Sequence, residues 1–372
     1  MADPRPDADT NFVEELDEPM PFRKGRRVVT QPVDLAVRTL VDQIDDKSLV
    51  LATDFQRKYV WDNAKASRLI ESLLLNVPIP VCYFAEDQQG TYEVVDGHQR
   101  LHSIWRYLKE DFRLGRLEAL PEQAGLRFSR LPGAMQLDLS RRTIRCVVIT
   151  RESDPELKFE IFERLNTNAV PLNAQELRNC VYRGALNDLL KALVVNSDFR
   201  RALGRRQPDY RMRDHELILR FFAIQDDPDA YAPPLKSFLN GFIARRRVMD
   251  PGETERLSRV FADTIAAVAS VFGTAAFRLL DTSGRKVEDG VNRALFDAQM
   301  VCLSRIPRTE ADGLRVQIRR GMGRLCEDAQ FLEAIGRATA DRSRLLTRIR
   351  MTAEMLQEAG VERPYGLDLR PE

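Results

Sequence analysis

Apolar residues recur at two different spacings along this chain, and the change from one to the other marks out its organisation. From Val33 to Asp46 the positions Val33, Val37, Leu40, Val41 and Ile44 fall on one helical face. From Asp62 to Leu75 the positions Ala66, Leu69, Ile70, Leu73 and Leu74 do the same, with Asp62 standing where an N-cap is needed. Two short β-rich runs follow, VPIPVCYFAE and TYEVVD, on either side of a turn at Asp87 to Gly90, which predicts a hairpin. Residues 98 to 109 return to helical spacing. A further β-rich run from Thr143 to Thr150 precedes a helix starting near Pro155. A proline- and asparagine-rich turn, Asn166 to Asn173, then leads into another helix, where Asn173 and Glu176 have capping-box spacing.

Beyond about residue 185 the helical pattern takes over, at roughly 211–225, 235–248, 252–272, 291–303, 309–322 and 328–357, with glycine and proline at most joints. The predicted class is therefore α+β: an N-terminal unit with a small mixed sheet over residues 29–182, then an all-α unit over 183–372. Residues 1–20 carry seven acidic residues against Arg5 alone, and Arg23, Lys24, Arg26 and Arg27 follow at once. Segment 1–28 thus reads as a disordered acidic and basic arm.

Composition narrows the function classes. With 44% hydrophobic and 30% charged residues among 372, the bulk of the chain folds, and collagen-like or wholly disordered classes are excluded. Cys82, Cys146, Cys180, Cys302 and Cys326 stand singly with no CxxC pair, so neither a disulfide framework nor a zinc knuckle is indicated. No apolar run approaches the roughly 18 to 20 residues of a membrane helix, and the first residues are acidic where a signal peptide is basic; the expectation is a cytoplasmic protein with no membrane partner. A net charge of +1 is too balanced to draw the whole chain onto nucleic acid, so DNA binding would have to come from patches. The strongest are Arg205 with Arg206, and Arg245, Arg246 and Arg247. The competing reading of each is a solvated helical face in an arginine-rich chain.

The chemistry concentrates in TYEVVDGHQRLHSIW, residues 91–105. A strand ends at Asp96, Gly97 allows a tight bend, and a helix starts with His98, Gln99 and Arg100 in its first turn. The N–H groups and positive end of that helix favour a phosphate, and Arg100 can add a bidentate contact. Asp96 can bind a magnesium ion, orient a water or simply pair with Arg100, and these readings stand side by side. In DFQRKYVW, residues 54–61, a base could stack on Tyr59 or Trp61 while Arg57 meets a phosphate, although aromatics before a helix more often serve as core staples. In FERLNTNAVPLNAQELRN, residues 162–179, Arg164, Asn166 and Arg178 crowd one turn, which suits a phosphate or a hinge. His98 and His102 mimic zinc spacing, but HQRLH lacks the glutamate of HExxH. The absence of any Gly-Lys dipeptide rules out P-loop chemistry.

Taken in order, QRKYVW, IESLLLNVPIP, EVVDGHQRL and FERLNTNAVPLNAQELR resemble the N-terminal domain of GmrSD-type modification-dependent restriction systems, within the ParB/sulfiredoxin-like superfamily, over about residues 30–200. The resemblance implies a domain that binds and hydrolyses a nucleoside triphosphate with Mg2+ and couples recognition of modified foreign DNA to cleavage by an HNH-type nuclease. It places the family's glutamine–arginine pair on Gln56 and Arg57, and its Asp-Gly-Gln-Gln-Arg signature on Asp96, Gly97, His98, Gln99 and Arg100. Asp96, Gln99 and Arg100 would then be catalytic, with Asp96 also the metal ligand. Gln56, Arg57, Gly97, His98, Arg164 and Asn166 would hold the nucleotide. The third signature position departs from glutamine, and His98 adds a titratable group there. With His98, His102 and His215 the only histidines, no histidine-dependent nuclease is expected in the second half, and a separate HNH-type partner chain is implied. Two other functions fit the same residues: a DNA-binding or protein-interaction module without turnover, and a ParB-like nicking nuclease. A homodimer through the C-terminal helices is compatible with each.

Overall fold

A computed structural model of the chain describes residues 27–51, 59, 61–87, 89–165 and 172–369. The chain divides between Val181 and Tyr182 into two compact units. The first is α+β. Its elements run β1 (Thr30–Ala36), α1 (Val37–Asp45), β2 (Leu49–Val50), α2 (Asn63–Leu74), β3 (Cys82–Glu86), β4 (Tyr92–Asp96), α3 (His98–Leu108), α4 (Gly133–Arg141), β5 (Thr143–Ile149), α5 (Pro155–Leu165) and α6 (Ala174–Val181).

The five strands form one mixed sheet in the order β1-β5-β3-β4-β2. β3 and β4 make the expected antiparallel hairpin, while β3 and β5 run parallel in the register Cys82↔Cys146 to Ala85↔Ile149. Val37, Leu40 and Val41 of α1, Ile70 and Leu73 of α2, and Leu101, Ile104 and Tyr107 of α3 join Phe84, Val94, Ile144 and Cys146 in one core. Local signals worked where the side chain caps its own helix. The Asp62 carboxylate accepts the Lys65 N–H at 2.7 Å, and Asn173 and Glu176 exchange side-chain-to-backbone bonds at 2.7 and 2.9 Å.

The helix expected from Val33 is corrected. Residues 30–36 are a strand paired along its length with β5, from Thr30↔Ile149 to Ala36↔Thr143, and the helix begins only at Val37. β1 lies at the edge of the sheet with its side chains exposed or half-buried, so its sequence shows no alternation, and the edge tolerates Pro32. β2 and α4 were not read from sequence either.

The second unit is helical throughout: α7 (Ala185–Leu193), α8 (Ser197–Leu203), α9 (Arg213–Asp226), α10 (Leu235–Arg245), α11 (Pro251–Phe272), α12 (Arg293–Leu303), α13 (Arg308–Gly313), α14 (Arg315–Leu325), α15 (Ala329–Gly336) and α16 (Arg342–Glu358). Two helices expected as single pieces, 309–322 and 328–357, are divided into α13 with α14 and α15 with α16. The 328–357 pattern breaks at Gly336, Ala338 takes a φ of 43°, and Asp341 caps a new start on the Arg344 N–H at 3.1 Å. α11 with the turn that follows, Pro251–Ala275, does reach the length and apolarity of a membrane span, contrary to the sequence expectation. Half of that apolar window is buried within the fold, where Phe261, Ile265, Val268 and Phe272 pack on neighbouring helices, while Arg256, Arg259 and Asp263 mark its polar side.

Many arginines of this unit are structural. Asp297, fully buried, binds Arg220 through both oxygens at 3.1 and 2.6 Å and Arg348 at 2.7 Å. Arg278 donates to the carbonyls of Ala202 and Leu203 at the end of α8, and to those of Ala276 and Asp289. Arg319 does the same for Gly284, Val271 and Phe272. Guanidinium groups here satisfy carbonyls left over at helix ends and in loops.

Candidate functional site

The strand-to-helix corner at Asp96–Arg100 is built as its sequence suggests, and its geometry adds what sequence could not give. Gly97 is the N-cap of α3 at φ 102°, a left-handed conformation that glycine adopts without strain, and it offers no side chain to cap the helix. A β-carbon at this position would lie 2.5 Å from the Cys82 Sγ. The corner therefore rests directly on the thiol that opens β3. That thiol stands opposite Cys146 across the parallel strands, and this neighbour draws the Cys82 thiol down from the ordinary range.

Arg100 fastens the corner from the other side. One Nη donates to the Asp96 Oδ2 at 2.6 Å and to the Val81 carbonyl at 3.4 Å, and the other donates to the Pro80 carbonyl. Only 12% of the Arg100 side chain and 23% of the Asp96 side chain is exposed. The guanidinium thus ties the segment before β3 to the first turn of α3, and the Asp96–Arg100 pair foreseen as one option is present. Two of the quoted motifs, VPIP and DGHQR, meet at this residue.

His98 is oriented by the Leu51 carbonyl, which its Nδ1 approaches. A carbonyl only accepts, so Nδ1 carries a proton in this contact. The Gln99 Oε1 accepts the Trp61 N–H at 3.3 Å. One turn further along α3, His102 packs edge-on against Tyr59 at 4.8 Å and lies 5.6 Å from the His98 ring. Burial, with the neighbouring His98 and Arg106, pushes His102 down to about 4, so its ring is neutral at physiological pH. Tyr59 is held on this face of α3 by a 2.9 Å hydrogen bond between its hydroxyl and Ser103, and the Arg106 guanidinium covers its ring at 4.6 Å. Tyr59 thus takes the staple role, and Lys65 lies over the Trp61 ring at 4.7 Å.

The other expected residues scatter. Gln56, Arg57 and Asn166 lie outside the described residues, although Leu51 and Tyr59, which flank the first two, both touch α3. Arg164 stands in the last turn of α5, paired with Glu160 at 2.5 Å on an exposed surface. Among the basic candidates, Arg206 and Arg245 are exposed. Arg205 pairs with Asp209 at 3.2 Å. Arg246 pairs with Asp226 and Glu253 at 3.0 and 3.2 Å and stacks on Phe242. Arg247 donates to the Arg183 carbonyl at 3.2 Å, while its own carbonyl and that of Arg246 accept the N–H groups opening α7. The triplet is therefore not a uniform cationic face. Sequence reading missed Cys82, Leu51 and His102 as parts of the corner; only the His98–His102 spacing hinted at the last.

The start of α3 has the helix polarity that suits an anion, with one carboxylate beside it. Among the described residues no group of three His, Cys, Asp or Glu side chains gathers to hold a metal. Magnesium fits on other terms, since it is commonly held by one carboxylate with the rest of its shell from phosphates and water. Asp96 offers that carboxylate, next to the helix end where phosphates would lie.

These features define a mixed α+β domain whose strand–glycine–helix corner leads, further along the chain, to an all-helical unit. Residues 37–183 match the family model described as the GmrSD restriction endonuclease, N-terminal domain. This stretch of the chain is thus similar to a GmrSD-type N-terminal domain, which indicates a component of a restriction-endonuclease system. No curated protein and no solved structure matches it.

Proposed function

We propose that this chain is the nucleotide-dependent sensor of a bacterial anti-phage restriction system that acts on modified DNA, with the cutting done by an HNH-type nuclease on a separate chain. In this reading the corner at Asp96–Arg100 binds a nucleoside triphosphate with Mg2+ and hydrolyses it. The observation that carries the proposal is the pairing of a glycine-capped helix start with a carboxylate held in place beside it. The N–H groups of His98, Gln99 and Arg100 would bind phosphate, Asp96 would hold the metal or orient water, and Gln99 would position water. Gln56, Arg57, Arg164 and Asn166 would complete the nucleotide contacts. Arg100 enters mainly as the residue that fixes Asp96, because its described bonds go to protein groups.

The histidine inventory supports a separate nuclease. His98 and His102 belong to α3, and His215 is wholly buried with its pKa pushed down to about 4 by burial and by Arg200 and Lys191. A solvent-facing imidazole for metal-assisted cleavage is thus not offered by the second unit. DNA contact would fall to its exposed cations, Arg206 and Arg245 first, with Arg205, Arg246 and Arg247 in supporting roles.

The test is phosphate release from a panel of triphosphates with Mg2+, with and without modified DNA, by the native chain and by Asp96→Ala. Release by the native chain that is lost in Asp96→Ala supports the reading; equal release by both removes the site. One observation favours a second reading: the Asp96–Arg100 pair, tied to the Pro80 and Val81 carbonyls, is also how a purely structural corner would be locked. Nucleotide binding without phosphate release would identify such a non-catalytic module. Nicking of supercoiled plasmid by the purified chain would identify the nicking nuclease instead.

A further inference from the structure

The connection between α8 and α9 is a loop fixed from beneath. The buried Asp214 carboxylate accepts from Arg200 at 2.6 Å and from the Asp209 N–H at 2.9 Å. The same Arg200 nitrogen donates to the Gln207 carbonyl at 3.1 Å. Asp209 in turn accepts from the Arg211 N–H at 2.7 Å and from Arg205 at 3.2 Å, and Met212 is buried behind it. At the tip of this held loop Tyr210 is 79% exposed. Arg206, four residues earlier in the same loop, is also exposed. Residues 205–213, the run RRQPDYRMR, hold four arginines against the single acid Asp209.

Each feature alone is ordinary, since single exposed aromatics and solvated arginines are common. Their combination is not. The loop has already given up its conformational freedom, so an ordered contact there costs little further entropy. It presents one flat π-face and a local excess of positive charge, which is the chemistry of a nucleic-acid strand: phosphates for the cations and a nucleobase for the ring. We infer that the 204–212 loop is a nucleic-acid contact in which Tyr210 stacks on an unpaired base and Arg206 binds the adjoining phosphate. This rests on the proposed DNA contact of the second unit and assigns it a place and a mode.

The full chain, with Tyr210→Ala, Tyr210→Trp and Arg206→Ala, is titrated against fluorescent single-stranded and duplex DNA at several salt concentrations. Tyr210→Ala is expected to weaken single-strand binding about tenfold, with a smaller effect on duplex, whose bases are already stacked. Tyr210→Trp is expected to keep the affinity, and Arg206→Ala to reduce the salt slope by about one. Native affinity in both alanine variants overturns the loop assignment and leaves the proposed DNA contact to other surfaces. Loss of single-strand binding in Tyr210→Trp as large as in Tyr210→Ala overturns stacking. An absence of any DNA binding by the native chain overturns both this inference and the DNA arm of the proposed function, and the phosphate-release assay then judges the triphosphate arm separately.

Discussion

Gly97 and Cys82 touch so closely that a β-carbon at position 97 would stand 2.5 Å from the Cys82 sulfur. Two separate costs would therefore fall on Gly97→Ala: a left-handed backbone at φ 102°, worth about 1–2 kcal/mol, and overpacking against a buried strand. Urea denaturation should show a loss of at least about 2 kcal/mol. Adding Cys82→Ala relieves the contact and leaves the backbone strain. In the Cys82→Ala background the glycine substitution should consequently cost less, and equal costs in both backgrounds would show that the sulfur does not set the spacing.

Arg100 lends itself to a different comparison. Arg100→Ala removes donors to Asp96 and to two backbone carbonyls and should destabilise the first unit by about 1–3 kcal/mol. Arg100→Lys keeps the charge but not the fork, and so cannot span acceptors on two segments in the same way. If the residue acts by holding Asp96, Arg100→Lys should lower triphosphate turnover far more than nucleotide affinity. An equal loss in both would instead point to direct phosphate contact.

How much of this was legible beforehand follows from the range of each interaction. Asp62, the Asn173–Glu176 box and the bend at Gly97 were readable because each is a contract between residues a few positions apart. β1 was not, because its identity as a strand comes from pairing with β5 more than a hundred residues away, and its edge position leaves little alternation behind. The Gly97–Cys82 contact and the Leu51–His98 bond depend on strand order and register, which no local pattern encodes. Arg246 and Arg247 looked like a cationic surface because sequence reports charge and not the carbonyls and carboxylates that meet it.

The Arg220–Asp297–Arg348 cluster should dominate the stability of the helical unit. Burial pushes the Asp297 carboxyl up, but the two guanidiniums and their hydrogen bonds reverse this and hold it below the ordinary range. Asp297→Asn leaves two buried guanidiniums facing a neutral amide and should cost about 3–5 kcal/mol in denaturant unfolding. A group with a lowered folded pKa contributes stability above its unfolded value and loses it as pH falls through the folded one. The contribution of Asp297 should therefore be intact at neutral pH and fade only below about pH 4. Replacing all three by Met or Leu of similar volume should restore much of the loss, since a buried ion cluster is seldom better than good apolar packing.

Acid should weaken the fold earlier than the carboxylates alone would explain, and the histidines give the reason. His102 and His215 are both depressed to about 4, chiefly by burial, so between that value and about 6.5 the unfolded chain binds protons that the folded chain does not. Stability must then rise with pH across this window and fall on acidification through it. For the wholly buried His215, a shift of this size corresponds to roughly 3 kcal/mol across the window. His215→Gln removes the titrating ring. Its absolute stability will also reflect altered packing, so the informative quantity is the slope of unfolding free energy against pH between 4.5 and 6.5. That slope should be shallower in the variant, and a slope equal to that of the native chain would mean that the imidazole is not kept neutral by its surroundings.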